Sequence, residues 1–338
     1  MRPRARSLLA VLAVILVGSC VLATAHGAVR IPYGEVARAA LGSSKDPLHV
    51  RIVQQVRLPR LTAAALVGAA LGGSGAVMQS VFRNPMADPG VIGVSAGGAL
   101  GGALALVTGL VNVWHGLLPA CAFAGALAAV LAVYWAAHRL GRGTVGDLLL
   151  AGLVISIFLG GVLSLILALI VDDLFVLRET MFWLAGGLEA RSWFHVRVAA
   201  GPILGGLAVL VALARPLNLL LLNDEEAWTL GVRVGLVRGL ALLAAALATG
   251  AAVAISGVIG FVGLIVPNAL RLLSGPDNRV LIPAAALGGG AFLVLADTLA
   301  RVILEPAELR VGIITACVGA PVFLWLLARQ RRGLDVPV

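Results

Sequence analysis

Residues 89–138 read PGVIGVSAGGALGGALALVTGLVNVWHGLLPACAFAGALAAVLAVYWAAH, fifty positions without an Asp, Glu, Lys or Arg. A helix crosses the hydrocarbon core of a bilayer in about 20 apolar residues. This run is too long for one crossing and fits two, with Asn112, His115, Gly116 and Pro119 marking the turn between them. The rest of the chain has the same character. Of 338 residues, 60% are hydrophobic and 12% charged, against about 25% charged in a soluble domain. A soluble enzyme, a disordered chain and a surface-bound peripheral protein are excluded. An outer-membrane barrel is excluded as well, because barrel strands alternate polar and apolar residues. The fold class is an all-α polytopic membrane protein.

Charge-free runs and their flanks place ten spans, at 7–29, 61–82, 90–111, 117–138, 148–171, 197–214, 235–255, 258–273, 280–297 and 311–328, within one transmembrane domain over 1–338. The hardest stretch is 239–270. At 1.5 Å per residue its 32 uncharged positions reach about 48 Å, long for one span and short for two. Gly257, Gly260, Gly263 and Pro267 argue for a break inside it; without that break the count is nine.

Ten spans put both termini on one side. Arg2, Arg4 and Arg6 at one end, and Arg329, Arg331 and Arg332 at the other, mark that side as cytoplasmic. The first span also has the look of a signal peptide, with Ala23-Thr24-Ala25 as a cleavage site. Its length and the even span count favour retention. The net charge of +9 sits at span ends, where it suits lipid headgroups and polypeptide partners rather than nucleic acid. Cys20, Cys121 and Cys317 are far apart and the five histidines are scattered, so no metal site or disulfide framework is expected.

Gly90-Val91-Ile92-Gly93 recurs as Gly257-Val258-Ile259-Gly260. Each copy follows an Ala- and Gly-rich span. If the echo is more than chance, spans 2–3 match spans 7–8, and a shift of five spans makes the repeat inverted, a common transporter plan.

No Walker A motif is present, because Lys45 follows Ser44 where the motif needs Gly. Asp147 and Asp297 stand at span edges rather than at mid-membrane, where proton-coupled pumps need an ionisable group. Gly72-Gly73-Ser74-Gly75 has the form of an intramembrane serine protease motif. It lacks a histidine deep in another span to act as base, and close helix packing through small residues reads it equally well.

Three constellations remain. Arg57-Leu58-Pro59-Arg60 precedes span 2, fit either to pair with a partner's carboxylates or to snorkel to lipid phosphates. Asn223 to Gly231 holds an acidic cluster in the longest cytoplasmic segment. Asn223 or Asp224 can cap a short helix and Gly231 can end it, giving either a plug for a partner's groove or a solvated loop. Arg83-Asn84-Pro85-Met86-Ala87-Asp88-Pro89-Gly90 specifies a rigid turn, fit to form a gate.

Longer motifs carry a resemblance. R-L-P-R at 57–60, F-R-N-P-M-A-D-P-G-V-I-G-V-S-A-G-G-A-L-G at 82–101, L-L-L-A-G at 148–152, W-L-A-G-G-L at 183–188, G-V-I-G-F-V-G-L-I-V-P-N at 257–268 and V-G-I-I-T-A-C-V-G-A-P-V-F-L-W-L-L at 311–327 resemble the FecCD-type permeases of ABC importers. Those importers carry heme, iron–siderophores and cobalamin. The resemblance implies ten helices per subunit and a homodimer in the bacterial cytoplasmic membrane, with the pathway on the dimer axis. It implies two separate ATPase subunits that hold ATP and Mg, and a periplasmic binding protein. This chain would then bind no cofactor and carry no catalytic residue. Arg57, Arg60 and Arg301 look like the arginines that receive the binding protein's glutamates. Asp224, Glu225, Glu226, Ala227 and Gly231 are similar to the segment that docks on the ATPase. Asn84, Met86 and Thr144 look like cytoplasmic gate positions. Glu226 stands where the family usually has Ala, and Arg310 where it usually has Pro. The motif at 82–95 is most similar to heme permeases, so heme is the expected cargo, with ferric siderophore or cobalamin as alternatives. A proton-coupled secondary transporter and an intramembrane protease are the readings from other classes.

Overall fold

The computed structural model describes residues 3–26, 31–44, 46–141, 143–304 and 307–334. Arg2 and the 27–29 end of the first expected span lie outside the described residues, as do the side chains of Arg4, Arg329, Arg331 and Arg332. The described residues form helices joined by turns, with no strand among them. In chain order they form α1 (Pro3–Ala25), α2 (Tyr33–Ala40) and α3 (Pro47–Arg51), which passes through a π-helical stretch, Ile52–Arg57, into α4 (Leu58–Val81). A 3-10 turn, Pro89–Ile92, leads to α5 (Val94–Val107), α6 (Leu110–Val113), α7 (Leu117–Arg139), α8 (Val145–Leu169) and α9 (Leu174–Leu184). Then come α10 (Trp193–Ala212), α11 (Ala214–Leu220), α12 (Asp224–Thr229), α13 (Val234–Ser256), α14 (Val262–Ser274), α15 (Asn278–Val302) and α16 (Val311–Leu334).

Seven described helices are long and apolar enough to cross a membrane: α1, the continuous α3–α4 unit, α7, α8, α10, α13 and α15. Three shorter apolar helices, Val94–Val107, Val262–Ser274 and Val311–Leu326, fall where the remaining expected spans lie. Helix ends differ from the charge-free runs wherever charges are paired inside a helix. Asp297 and Arg301 belong to α15, and Arg238 to α13, because buried partners remove the cost of carrying them. The sequence reading did not anticipate α9, whose eleven residues include Arg178 and Glu179.

The centre is built from α4, α13 and α15, largely buried along their lengths, whereas α8 is almost bare on its flank. α4 lies on α15 through small residues. A Cβ added to Gly68 would collide with the Gly289 carbonyl, and one added to Gly72 with that of Ala285. Such backbone contact is how apolar helices associate where burial alone gives no drive. In the Gly72–Gly75 stretch Ser74 is buried and donates to the Ala245 carbonyl at 3.4 Å.

Inside α14, Pro267 has no N–H to give the Gly263 carbonyl. Gln79 of α4 supplies the missing donor at 3.1 Å and also reaches the Leu264 carbonyl at 3.3 Å. The irregular start of α14 is thereby satisfied within the protein, the condition for non-helical backbone at membrane depth.

The two G-V-I-G copies sit alike but fold differently. Each lies between a long buried helix and a short one, α4 and α5 or α13 and α14. The C-terminal end of α4 and the N-terminal end of α13 meet at Asp224, so the two long helices run in opposite directions. Gly90–Ile92 winds into the 3-10 turn, while Gly257–Gly260 is not helical. The left-handed residue that opens the short helix is Gly93 in one copy and Phe261 in the other, at φ 83° and 68°.

Candidate functional site

Polar residues gather at the two ends of the α4–α15 pair. At the end where α4 begins, Arg57, Arg60 and Arg301 are 6%, 9% and 7% exposed. Pro59 stands between the two arginines just after the π-helical stretch, Ile52–Arg57, inside the continuous α3–α4 unit. Arg60 grips Asp297 of α15 with Nε at 3.0 Å from Oδ2 and Nη2 at 2.9 Å from Oδ1, and reaches Glu308 with Nη1 at 2.7 Å. Arg301 lies 3.4 Å from Asp297 Oδ2 and donates to the Ala23 and His26 carbonyls at 3.2 Å each. Arg57 donates to the Thr24 carbonyl. Arg57 and Arg301 therefore close open carbonyls at the end of α1, and with Arg60 they bind α1, α4 and α15 into one block. The sequence offered Arg57 and Arg60 to a partner's carboxylates or to lipid phosphates; in the structure they are buried and bonded within the chain. Asp297 was noted only as a span-edge acid and Glu308 not at all, since partners 237 and 248 residues away leave no local pattern.

At the opposite end the chain leaves α4 through a left-handed Arg83, φ 48°. Asn84 accepts the Met86 N–H at 2.9 Å, and Ala87 N–H bonds back to the Asn84 carbonyl at 3.0 Å, which closes a tight turn. Asn268 of α14 braces that turn by donating to the Pro85 carbonyl at 2.8 Å. Met86 is exposed. Thr144 caps α8. Its hydroxyl accepts the Asp147 N–H at 3.2 Å while Asp147 accepts the Thr144 N–H at 3.0 Å, a reciprocal capping box. The 3-10 turn after Asn84 and Met86 packs on α8, the helix that Thr144 starts.

Beside this turn stands α12. The Asn223 side chain accepts the Glu226 N–H at 2.7 Å and caps its start. Its end is a Schellman motif: Gly231 N–H to the Trp228 carbonyl at 2.9 Å and Val232 N–H to the Ala227 carbonyl at 3.0 Å, with Gly231 at φ 85°. Glu225, Glu226 and Trp228 face outward, Trp228 at 72% exposed. The resemblance placed Ala227 in the segment that docks on the ATPase. Its side chain is fully buried, because α12 seats its one small apolar residue inward, on the side where it packs on α11.

Asp224 is shared. Arg83 Nη2 lies 2.6 Å from its Oδ1, and Arg238 of α13 binds both oxygens at 3.0 and 2.9 Å. Burial pushes this carboxyl up, but the hydrogen bonds and charges of Arg238 and Arg83 outweigh it and hold the group below the usual carboxylate range. Nearby, Asp277 caps α15 and accepts from Arg279 and Asn218; the Arg279 hydrogen bond leads in bringing it down to about 2. Asn218 in turn accepts the Asn278 N–H at 2.8 Å, and Ser80 of α4 donates to Asn278 at 2.8 Å. In the sequence Arg83 appeared only as part of the turn motif, and Arg238 only as an unremarked position inside the 235–255 span. An arginine near the start of a long apolar helix, following an acidic cluster, was the available signal. Among the described residues no group of His, Cys, Asp and Glu could hold a metal ion.

Comparison with known proteins fits this arrangement. Residues 12–329 match the FecCD transport family. The chain is 50% identical over 284 residues to a cobalamin import system permease of Halobacterium salinarum, covering 84% of this chain and 75% of that one. It is 40% identical to a hemin transport system permease of Yersinia pestis, covering 98% of each. A solved chain described as a metal-chelate type ABC transporter in an inward-facing conformation superposes with a TM-score of 0.84 at 32% identity, over 96% of this chain and 99% of that one. With its apolar bundle, its short capped helix at one end and its match from end to end, the chain is an integral membrane protein that belongs to the FecCD transport family, the permease subunits of type II ABC importers.

Proposed function

We propose that this chain forms the pathway of an importer for metal tetrapyrroles, with heme as its cargo. The observation that carries the reading is α12, a capped and exposed helix held by ion pairs to the end of α4, on a fold shared with a metal-chelate transporter. The end-to-end similarity to a hemin permease supports heme; the 50% identity to a cobalamin permease supports cobalamin as the second reading. In this account the chain crosses the bacterial cytoplasmic membrane ten times with both termini in the cytoplasm. Two copies pair around a central pathway, and the bare flank of α8 is available to lipid or to the second copy. Two ATPase subunits, which hold ATP and Mg, dock on Glu225, Glu226 and Trp228, while Asp224, Ala227 and Gly231 fix the shape of the docking helix. Asn84, Met86 and Thr144 gate the cytoplasmic mouth. A periplasmic binding protein delivers cargo to the other face, where Arg57, Arg60 and Arg301 hold the helix ends in register beneath it.

The test is reconstitution of the permease with its ATPase and binding protein in proteoliposomes. Hemin uptake that needs ATP and the binding protein is expected, exceeding uptake of cyanocobalamin and a ferric hydroxamate. Preferred uptake of cyanocobalamin moves the assignment to the second reading. Uptake driven by a proton gradient without nucleotide sinks both.

A further inference from the structure

Arg83 occupies a place that neither a gate nor a docking helix accounts for. It is not glycine, yet its backbone is left-handed at φ 48°, a conformation a bulky residue adopts only under constraint. One guanidinium reaches two successive helices. Nε donates to the Leu220 carbonyl at 2.7 Å, closing the end of α11, and Nη2 donates to Asp224 Oδ1 at 2.6 Å, in the first turn of α12. Arg238, whose side chain is buried, fixes the far side of the same carboxylate. In the chain direction Arg83 is bonded to Asn84, where the closed Asn84–Ala87 turn begins. A turn closed on itself and braced by Asn268 moves as a unit, so whatever shifts Arg83 shifts the turn.

We propose that Arg83 is a positioning residue that ties α12 to the Asn84–Ala87 turn, so that displacement of α12 by a docked partner is delivered to the turn through its guanidinium. The inference rests on α12 as the ATPase-docking helix and on Asn84 and Met86 as gate positions. A merely structural Arg83 would secure the end of α4 and nothing more. Its loss would lower thermal stability without separating movement of α12 from movement of the turn.

The experiment uses the full transporter in proteoliposomes, with Cys20, Cys121 and Cys317 replaced, spin labels at Met86 or Trp228 and hemin as cargo. In the otherwise unchanged protein, a non-hydrolysable ATP analogue is expected to shift distances at both labels. Arg83→Asn suits a left-handed backbone but lacks the reach. It should keep the bound ATPase and the shift at Trp228, lose the shift at Met86, and import about tenfold less hemin per ATP hydrolysed. Arg83→Lys, which keeps charge but not the fork, should fall between. Wild-type shifts at both labels with an unchanged ratio in Arg83→Asn overturn the proposal. Should Arg83→Asn fail to fold, Asp224→Ala with Arg238 intact puts the same question: loss of the Met86 shift with the Trp228 shift kept supports the tie, and retention of the Met86 shift refutes it. Absence of any shift at Trp228 in the unsubstituted protein sinks the docking reading itself, and this inference with it.

Discussion

The two ends of the α4–α15 pair use the same residue type in opposite ways. Where α4 begins, Arg57, Arg60 and Arg301 are sealed inside, and Arg60 meets a carboxylate that is itself 1% exposed. Where α4 ends, Arg83 and Arg238 share Asp224, a carboxylate with about half its side chain in solvent. Two charges taken fully out of water are fixed by the cost of separating them. A half-solvated carboxylate on a short helix stays within reach of whatever docks outside it. One end is thus built to hold still and the other to be moved.

The sharpest way to break this contrast is at Arg60. Arg60→Met leaves Asp297 buried with a weaker partner and is expected to cost about 3–5 kcal/mol in thermal unfolding. A single substitution as mild as a surface change would show that the sealed end is not sealed. Next comes Ala227→Trp. Because Ala227 is buried, the bulky ring should lift α12 off α11 at a cost of about 1–3 kcal/mol. Protease sensitivity at 222–232 reports it, and an unchanged digest would return Ala227 to the outer surface. Gly231→Ala is smaller still. An added Cβ meets nothing within 4 Å, so the expected loss of about 1 kcal/mol comes from the left-handed backbone alone. Gly231→Asn should restore part of it, which a steric explanation does not allow.

The mildest test is pH. Asp224 and Asp277 both have folded values below the usual carboxylate range. Their contribution to stability is therefore complete above about pH 4 and is lost as pH falls through the folded values, to about 2 for Asp277. Amide exchange at Ala227 and Val232 is expected to stay flat from about pH 8 to pH 5, after correction for intrinsic rates, and to rise only below about pH 4. A rise near neutrality would mean that another group holds α12.

The helical class and the placement of the apolar runs were legible in the sequence, because hydrophobic length alone decides them. Helix ends were not. The span at 280–297 stopped short of Arg301, which lies inside α15 because it has a partner. The short helix α12 was legible from Asn223 and Gly231, its cap and its stop, but the facing of Ala227 was not. Six residues make too few turns to show a period. The tie from Arg83 to Asp224 spans 141 residues and leaves no trace in spacing.

The glycine contact between α4 and α15 bears on how force could cross the protein. Sliding one helix along the other would drive a carbonyl into a Cα, so the seam resists shear in both directions. With 24 residues in α4, the pair amounts to a stiff rod about 36 Å long. A load applied at Arg83 then reaches Arg60 as tilt about a pivot, not as stretch. Where that pivot lies depends on which end yields first, and the sealed arginines place it at the far end. Leverage is set by three missing side chains, Gly68, Gly72 and Gly289, more than by any ion pair. A methyl group at any of them would lengthen the gap and turn the rod into a hinge.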